Sequence, residues 1–211
     1  MDAGWTGSLP DFFKCAKQES VNIDTIDYLI ITHFHPDHMG IAGDLAELGI
    51  RTVVFDVQKS FMHWADVLSE KRNRYFKPIK DDETVYVGIS ESREFLEKEG
   101  IAGEVIHTPG HSDDSISEIL DSGAAIVGDM PPYPQIEAYG DPVIADSWEK
   151  IIRCGSKRAY HAHWPEYDIK YGCYPKILLA RTRHEDYQYE GVKIFNVTNL
   201  LRENKMTVSQ K

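Results

Sequence analysis

Thr32-His33-Phe34-His35-Pro36-Asp37-His38 puts three imidazoles and a carboxylate into seven residues, and the apolar run Tyr28-Leu29-Ile30-Ile31 leads straight into it. A short, β-branched apolar run bounded by polar residues reads as a buried strand. The polar cluster therefore sits at a strand's carboxyl end. Neutral imidazole is the commonest metal ligand, and imidazole with carboxylate suits zinc, iron or manganese. Alternation beyond the strand puts His33 and His35 on one side of the chain. Pro36 breaks the strand, so Asp37 and His38 open a helix and point at a second position. The spacing suggests two metals side by side, an arrangement that clamps and polarises a hydrolysable bond.

The chain has 211 residues, 42% hydrophobic and 27% charged, which is ordinary for a globular protein of one domain. A formal charge of −11 disfavours a nucleic-acid partner, because phosphate neutralisation needs clustered Lys and Arg. Cys15, Cys154 and Cys173 are odd in number and widely spaced, unlike a disulfide framework, so a reducing cytoplasm is expected. No apolar stretch approaches the roughly 18 residues needed to span a membrane.

Further motifs accompany the histidine string: Met1-Asp2-Ala3-Gly4, Thr108-Pro109-Gly110-His111-Ser112, Val127-Gly128-Asp129 and Tyr160-His161-Ala162-His163-Trp164. Together, and in this order, they resemble the metallo-β-lactamase fold superfamily over residues 1 to about 165. The resemblance is to its hydrolase branch, with glyoxalase II-like and lactonase-like proteins. It implies an α/β fold of four layers, αββα, with two mixed sheets face to face and ligand loops along one edge. In that family the Asp-Ala-Gly motif follows earlier strands, whereas here Asp2 is the second residue. The usual first strands are thus expected to be missing, and an unprotected sheet edge favours a homodimer.

The resemblance implies one site of His33, His35 and His111, a second of Asp37, His38 and His163, and Asp129 bridging them. Two Zn²⁺ per chain are expected, with Fe or Mn as substitutes. Asp2 would support the ligands from behind. Hydroxide held between the ions would be the nucleophile, with Asp37 the catalytic group that accepts a proton. His161 competes with His163 for the last position. The family pattern has a small residue before this histidine and a proline two after it, and Ala162 and Pro165 frame His163 in that way. Trp164 stands where the family usually has glycine.

Position 129 is Asp, where the antibiotic-hydrolysing branch typically has Cys, and position 35 is His, unlike the Glu of the flavodiiron branch. The expected function is hydrolysis of a small-molecule ester, thioester or lactone. The alternatives are a mononuclear iron sulfur dioxygenase and a metal-stabilised binding or assembly protein without catalysis.

Helices are expected over 10–19, behind Ser8-Leu9-Pro10-Asp11, and over 37–48, 58–72, 91–99 and 147–154. Residues 166–211 are expected to be a helical extension of a single 1–211 domain, with helices over Tyr174–Tyr189 and Val197–Glu203. Strands are expected at 51–55, 84–87, 104–108, 115–120, 124–127 and 158–161. Trp64 and Met62 could line a substrate mouth, with core packing the preferred reading; Asp113 and Asp114 read as turn or capping residues, and His107 as part of its strand. Pro131–Pro134 reads as a rigid loop, too rich in proline for regular structure.

Overall fold

The computed structural model describes residues 1–72 and 75–169, together with the backbone of three later strands. It divides into two compact units, Met1–Ile169 and Lys170–Lys211.

In the first unit, β1 (Tyr28–Ile30), β2 (Arg51–Phe55) and β3 (Thr84–Val87) form a parallel sheet in that order. A second, mixed sheet has the order β4 (Gly103–His107), β5 (Ile116–Leu120), β6 (Ala124–Gly128), β7 (Arg158–His161) and β8 (Tyr167–Asp168). Strand alternation builds the layers. Ile30, Val53 and Phe55 point inward and cluster with Val105 and Ile116 of the other sheet. Leu29, Ile31 and Val54, one residue out of phase, point outward. They pack on Met39 of α2 (Pro36–Met39), on Ala42 and Leu45 of α3 (Ala42–Glu47), and on Leu9 and Phe12 of α1 (Leu9–Gln18). The chain continues through α4 (Asp66–Arg72) to α5 (Ser92–Lys98), which packs against β4 and sends Leu96 into the inter-sheet cluster. On the far face of the second sheet, Ile119, Ala125, Val127 and Ala159 meet Ile144, Trp148 and Ile151. Those three belong to α7 (Pro142–Arg153), which follows the short α6 (Ile136–Tyr139). The expected αββα order is therefore present, and the first sheet is the shorter.

Several expected boundaries move. The helix over 37–48 is broken between α2 and α3, at Gly40 and Ile41. The amino-terminal segment crosses there, with Gly40 N–H donating to Gly4 O (2.7 Å) and Ala3 N–H to His38 O (2.6 Å). A Cβ on Gly40 would lie 2.2 Å from Thr6 N, so only glycine lets the two backbones meet. In 58–72 only Asp66–Arg72 is α-helical, because residues 59–65 make successive turns. The helix expected at 147 begins at Pro142, where Asp141 Oδ1 accepts from Val143 N–H (2.8 Å) and Pro142 occupies the first turn. Ser8 is the residue before α1 but makes no side-chain cap. Tyr133–Gln135, inside the proline-rich stretch, is a 3₁₀ turn leading into α6.

The helix expected over Tyr174–Tyr189 is replaced by strands. Lys176–Ala180 (β9), Tyr187–Tyr189 (β10) and Val192–Asn196 (β11) form a three-stranded sheet of order β10-β11-β9. Tyr187-Gln188-Tyr189 alternates, and Val192, Ile194 and Phe195 are β-branched or aromatic, so strand pairing prevails there over helix propensity. Val197–Glu203 lies outside the described residues.

Candidate metal centre

All seven predicted residues come together, from loops at strand ends. His33 and His35 leave β1, His111 follows β4, Asp129 follows β6 and His163 follows β7, while Asp37 and His38 open α2. Two groups result, His33, His35 and His111 in one and Asp37, His38, Asp129 and His163 in the other, and within each the polar atoms lie within 4.8 Å of one another. In the first, His35 Nδ1 lies 3.0 Å from His33 Nε2 and 3.1 Å from His111 Nε2. In the second, Asp37 Oδ2 is 3.1 Å from His163 Nε2, and Asp129 Oδ2 is 3.3 Å from His38 Nε2. Asp129 Oδ2 also lies 3.5 Å from His111 Nε2, so this carboxylate touches both groups.

The groups are held differently from behind. Asp2 grips the second directly and reaches the first through Thr32: Thr32 N–H (2.7 Å) and the Thr32 hydroxyl (2.9 Å) donate to its two oxygens, that hydroxyl lies 3.2 Å from His33 Nδ1, and His38 Nδ1 donates to Oδ2 (3.0 Å). That fixes the His38 tautomer with Nε2 facing the cluster. Asp114 grips the first. Its buried Oδ2 accepts from Phe34 N–H (2.7 Å), the amide between the two ligand-type histidines. Gln58, fully buried, completes this clamp by donating from Nε2 to Ile31 O (2.9 Å) and Asp114 O (3.2 Å). The second sheet closes in through Gly128, at φ 57°, where a Cβ would stand 2.6 Å from Thr32 Oγ1.

Electrostatics separate the groups as well. Burial, then the neighbouring His38, His35 and His111, push the His33 imidazole down to about 2, so it is neutral. Burial also lowers His111. For His38 burial is opposed by the Asp129 and Asp2 carboxylates, which prevail and raise it to about 10. Burial would raise Asp129, but His38, His33 and His163 hold it down to about 2. The donor set fits metal ions. Three imidazole nitrogens converge within hydrogen-bond distance with few protons to share, and His38 Nε2 and Asp129 Oδ1 are buried without a hydrogen-bond partner.

His161 stands apart from both groups. It stacks on Tyr167 (5.3 Å between centroids) and lies 6.1 Å from Trp148, with both ring nitrogens buried and unpartnered. His107 Nε2 bonds Asp113 O (2.7 Å), and neither Asp113 nor Asp114 joins a ligand group. Sequence reasoning missed the roles of Asp114 and Gln58, and it preferred core packing for Trp64. Asp114 bonds a chain segment 80 residues away rather than its own turn. Trp64 is 65% exposed beside His35, while Met62 is core at 1%. Gln58 had a legible signal: it is a polar residue on the face shared by Met62 and Ala65.

Residues 1–163 match the family model of the metallo-beta-lactamase superfamily. The chain belongs to that superfamily. Among curated superfamily relatives, a metallo-beta-lactamase fold-containing protein of Sulfurisphaera tokodaii, ST1585, is 26% identical over 57% of this chain and 48% of its own length. The beta-lactamase-like protein 2 homolog of Drosophila melanogaster is 28% identical over 70% of this chain and 47% of its own. The chain thus spans about half the length of these relatives. Among solved structures, the family protein TTHA1429 of Thermus thermophilus superposes with a TM-score of 0.59 (18% identity, 80% of this chain, 66% of that one). TTHA1623, in a di-iron-bound form, gives 0.60 (16% identity, 80% and 83%). At such identities the likeness is one of fold. No described helix is long and apolar enough to cross a membrane.

Proposed function

We propose that this chain is a dinuclear metal-dependent hydrolase of a small-molecule ester, thioester or lactone. The reading rests on one observation above all: a carboxylate, Asp129, touches both groups of a seven-residue cluster. His33, His35 and His111 would hold one ion and Asp37, His38 and His163 the other, with Asp129 shared. Such ions, zinc by preference, would supply Lewis acidity and a nucleophile at neutral pH. The di-iron form of TTHA1623 makes iron the competing metal.

The chain's own residues set the direction of approach. The side chains of His33 and His38 are buried and form the floor, whereas His111 and His163 are 30% and 52% exposed and face the substrate. Asp37 stands at the mouth beside His163, where its Oδ2 can accept the proton lost by the attacking water and pass it to the leaving oxygen or sulfur. The free thiols of Cys15 and Cys154 suit a reducing compartment such as the cytoplasm.

The test is metal content by elemental mass spectrometry on protein purified without chelators or added metal, followed by an ester, thioester and lactone panel. About two zincs per chain and turnover would support the reading. A single iron with oxygen consumption would replace it with the dioxygenase, and a folded chain without metal would refute both enzymes.

A further inference from the structure

The ligand cluster separates two cavities, and His111 lines both. One, about 340 Å³, is bounded by Phe34, Phe61, Trp64 and the Ser112–Asp114 turn; the other, about 350 Å³, by Pro131, Tyr139, Ile144 and Trp164. A substrate with its reacting bond over the cluster would place one substituent in each arm. The first arm has the sharper chemistry. The turns that bury Met62 and Ala65, at 1% and 0% exposure, leave the Trp64 indole in water. The ring is not free, for it lies over His35 with centroids 5.8 Å apart and planes at 39°. Phe61, half-buried against the core, adds a second ring to the same wall. An aromatic face held in solvent at a cavity wall is a surface for another flat apolar group. The charge around it is acidic: Asp113 and Asp114 line this arm, Asp129 and Asp141 the other, and among the described residues neither arm is lined by a lysine or arginine. Among the described residues lining the two arms, no cationic side chain would pair with a phosphate or carboxylate carried by the substrate.

We infer that the Trp64 arm takes a flat apolar, preferentially aromatic, substituent of an uncharged ester or lactone. This rests on the hydrolase reading for the reacting bond, but the arm is testable by binding alone. Acetohydroxamic acid, phenylacetohydroxamic acid and the monohydroxamate of succinic acid share one metal-binding head and differ in the group offered to the arm. Titrated by calorimetry into the zinc-loaded protein, the phenyl compound should bind about tenfold more tightly than the acetyl one, the scale of one buried ring. The succinyl compound should bind more weakly than the acetyl one. Trp64→Ala should remove most of the phenyl advantage and Trp64→Phe keep most of it, both at unchanged zinc content. Trp64 is exposed enough for either variant to fold. The ratio of kcat/KM for phenylacetate over acetate esters should fall in parallel. If acetohydroxamate binds but phenyl gives no advantage, or Trp64→Ala leaves the advantage intact, the inference falls and the hydrolase reading stands. Binding of no hydroxamate, with no ester turned over, overturns both.

Discussion

The two halves of the candidate metal centre are built from different donors and braced in different ways. His33, His35 and His111 are nitrogen donors clamped through the backbone by Asp114 and Gln58. Asp37, His38, Asp129 and His163 mix nitrogen and oxygen, and a carboxylate behind them, Asp2, bonds a ligand side chain directly. The first half contains an imidazole whose burial strips it of its proton, whereas the second holds a proton on His38 between two carboxylates. An ion entering the first half meets a neutral His33. An ion entering the second must displace the His38 proton. The general lesson is that support through a backbone amide fixes position, while support through a ring nitrogen also fixes protonation.

The strongest challenge to this division is Asp129→Ala, because that carboxylate belongs to both halves. Metal content should fall from about two ions to one or none, and activity by about a thousandfold or more, since several kcal/mol of charge stabilisation are removed. Retention of two ions by elemental analysis would show that the halves need no shared ligand.

Removing each support in turn comes next in size. Asp2→Asn should weaken the second ion roughly 10–100-fold and the first, reached only through Thr32, by less, whereas Asp114→Asn should weaken the first. Competition against a chromophoric chelator measures both constants. Equal losses at both positions in both variants would dissolve the distinction.

Protons sharpen it further. With His38 raised to about 10, uptake of the second ion at pH 7 releases a proton, so its log K should climb by about one unit per pH unit up to that value. His33, at about 2, adds no such slope to the first ion. Acidification should therefore strip the second ion first, as read by metal retention after dialysis at stepped pH. The metal-free protein should show the opposite trend in stability. The raised His38 contributes stabilisation that is complete below its ordinary 6.5 and lost as pH rises through about 10.

The smallest effect lies outside both halves. Glu118 is buried on β5, and burial raises its carboxyl. A carboxyl raised in the folded state holds its proton more tightly there, so stability falls as pH rises through and above its ordinary 4.5. Glu118→Gln should lift the thermal midpoint by about 2–4 °C at pH 7 and leave both metal constants alone. A shift in either constant would mean that the inter-sheet layer, too, tunes the centre.

Much of this was legible in the sequence because ligands were announced by local pattern. Tyr28–Ile31 before His33, Val105–His107 before His111 and Ala124–Val127 before Asp129 each read as a strand delivering a polar residue. What stayed hidden depended on distant chain segments. Gly40 interrupts a helix because Gly4 and Thr6 cross it, and Asp114 acts on Phe34 across 80 residues. Core packing was the preferred reading of Trp64 because its spacing matched Phe61, Ala65 and Leu68, and only a run of turns in place of a helix turns it outward. Within Tyr174–Tyr189 the residues favour a helix by propensity, yet two strands stand there, Lys176–Ala180 and Tyr187–Tyr189, because each pairs with the more distant Val192–Asn196.

The clamp on Phe34 also has a meaning in time. Loop amides ordinarily trade their hydrogens with solvent quickly, because small local openings expose them. Phe34 is 1% exposed, its N–H is bonded to a buried carboxylate, and Gln58 braces that clamp against two other segments. This amide should exchange as slowly as the strands of the core, even without metal. The first half of the centre would then be ordered before any ion arrives, and its loading rate set by the arrival of the ion rather than by the folding of a loop.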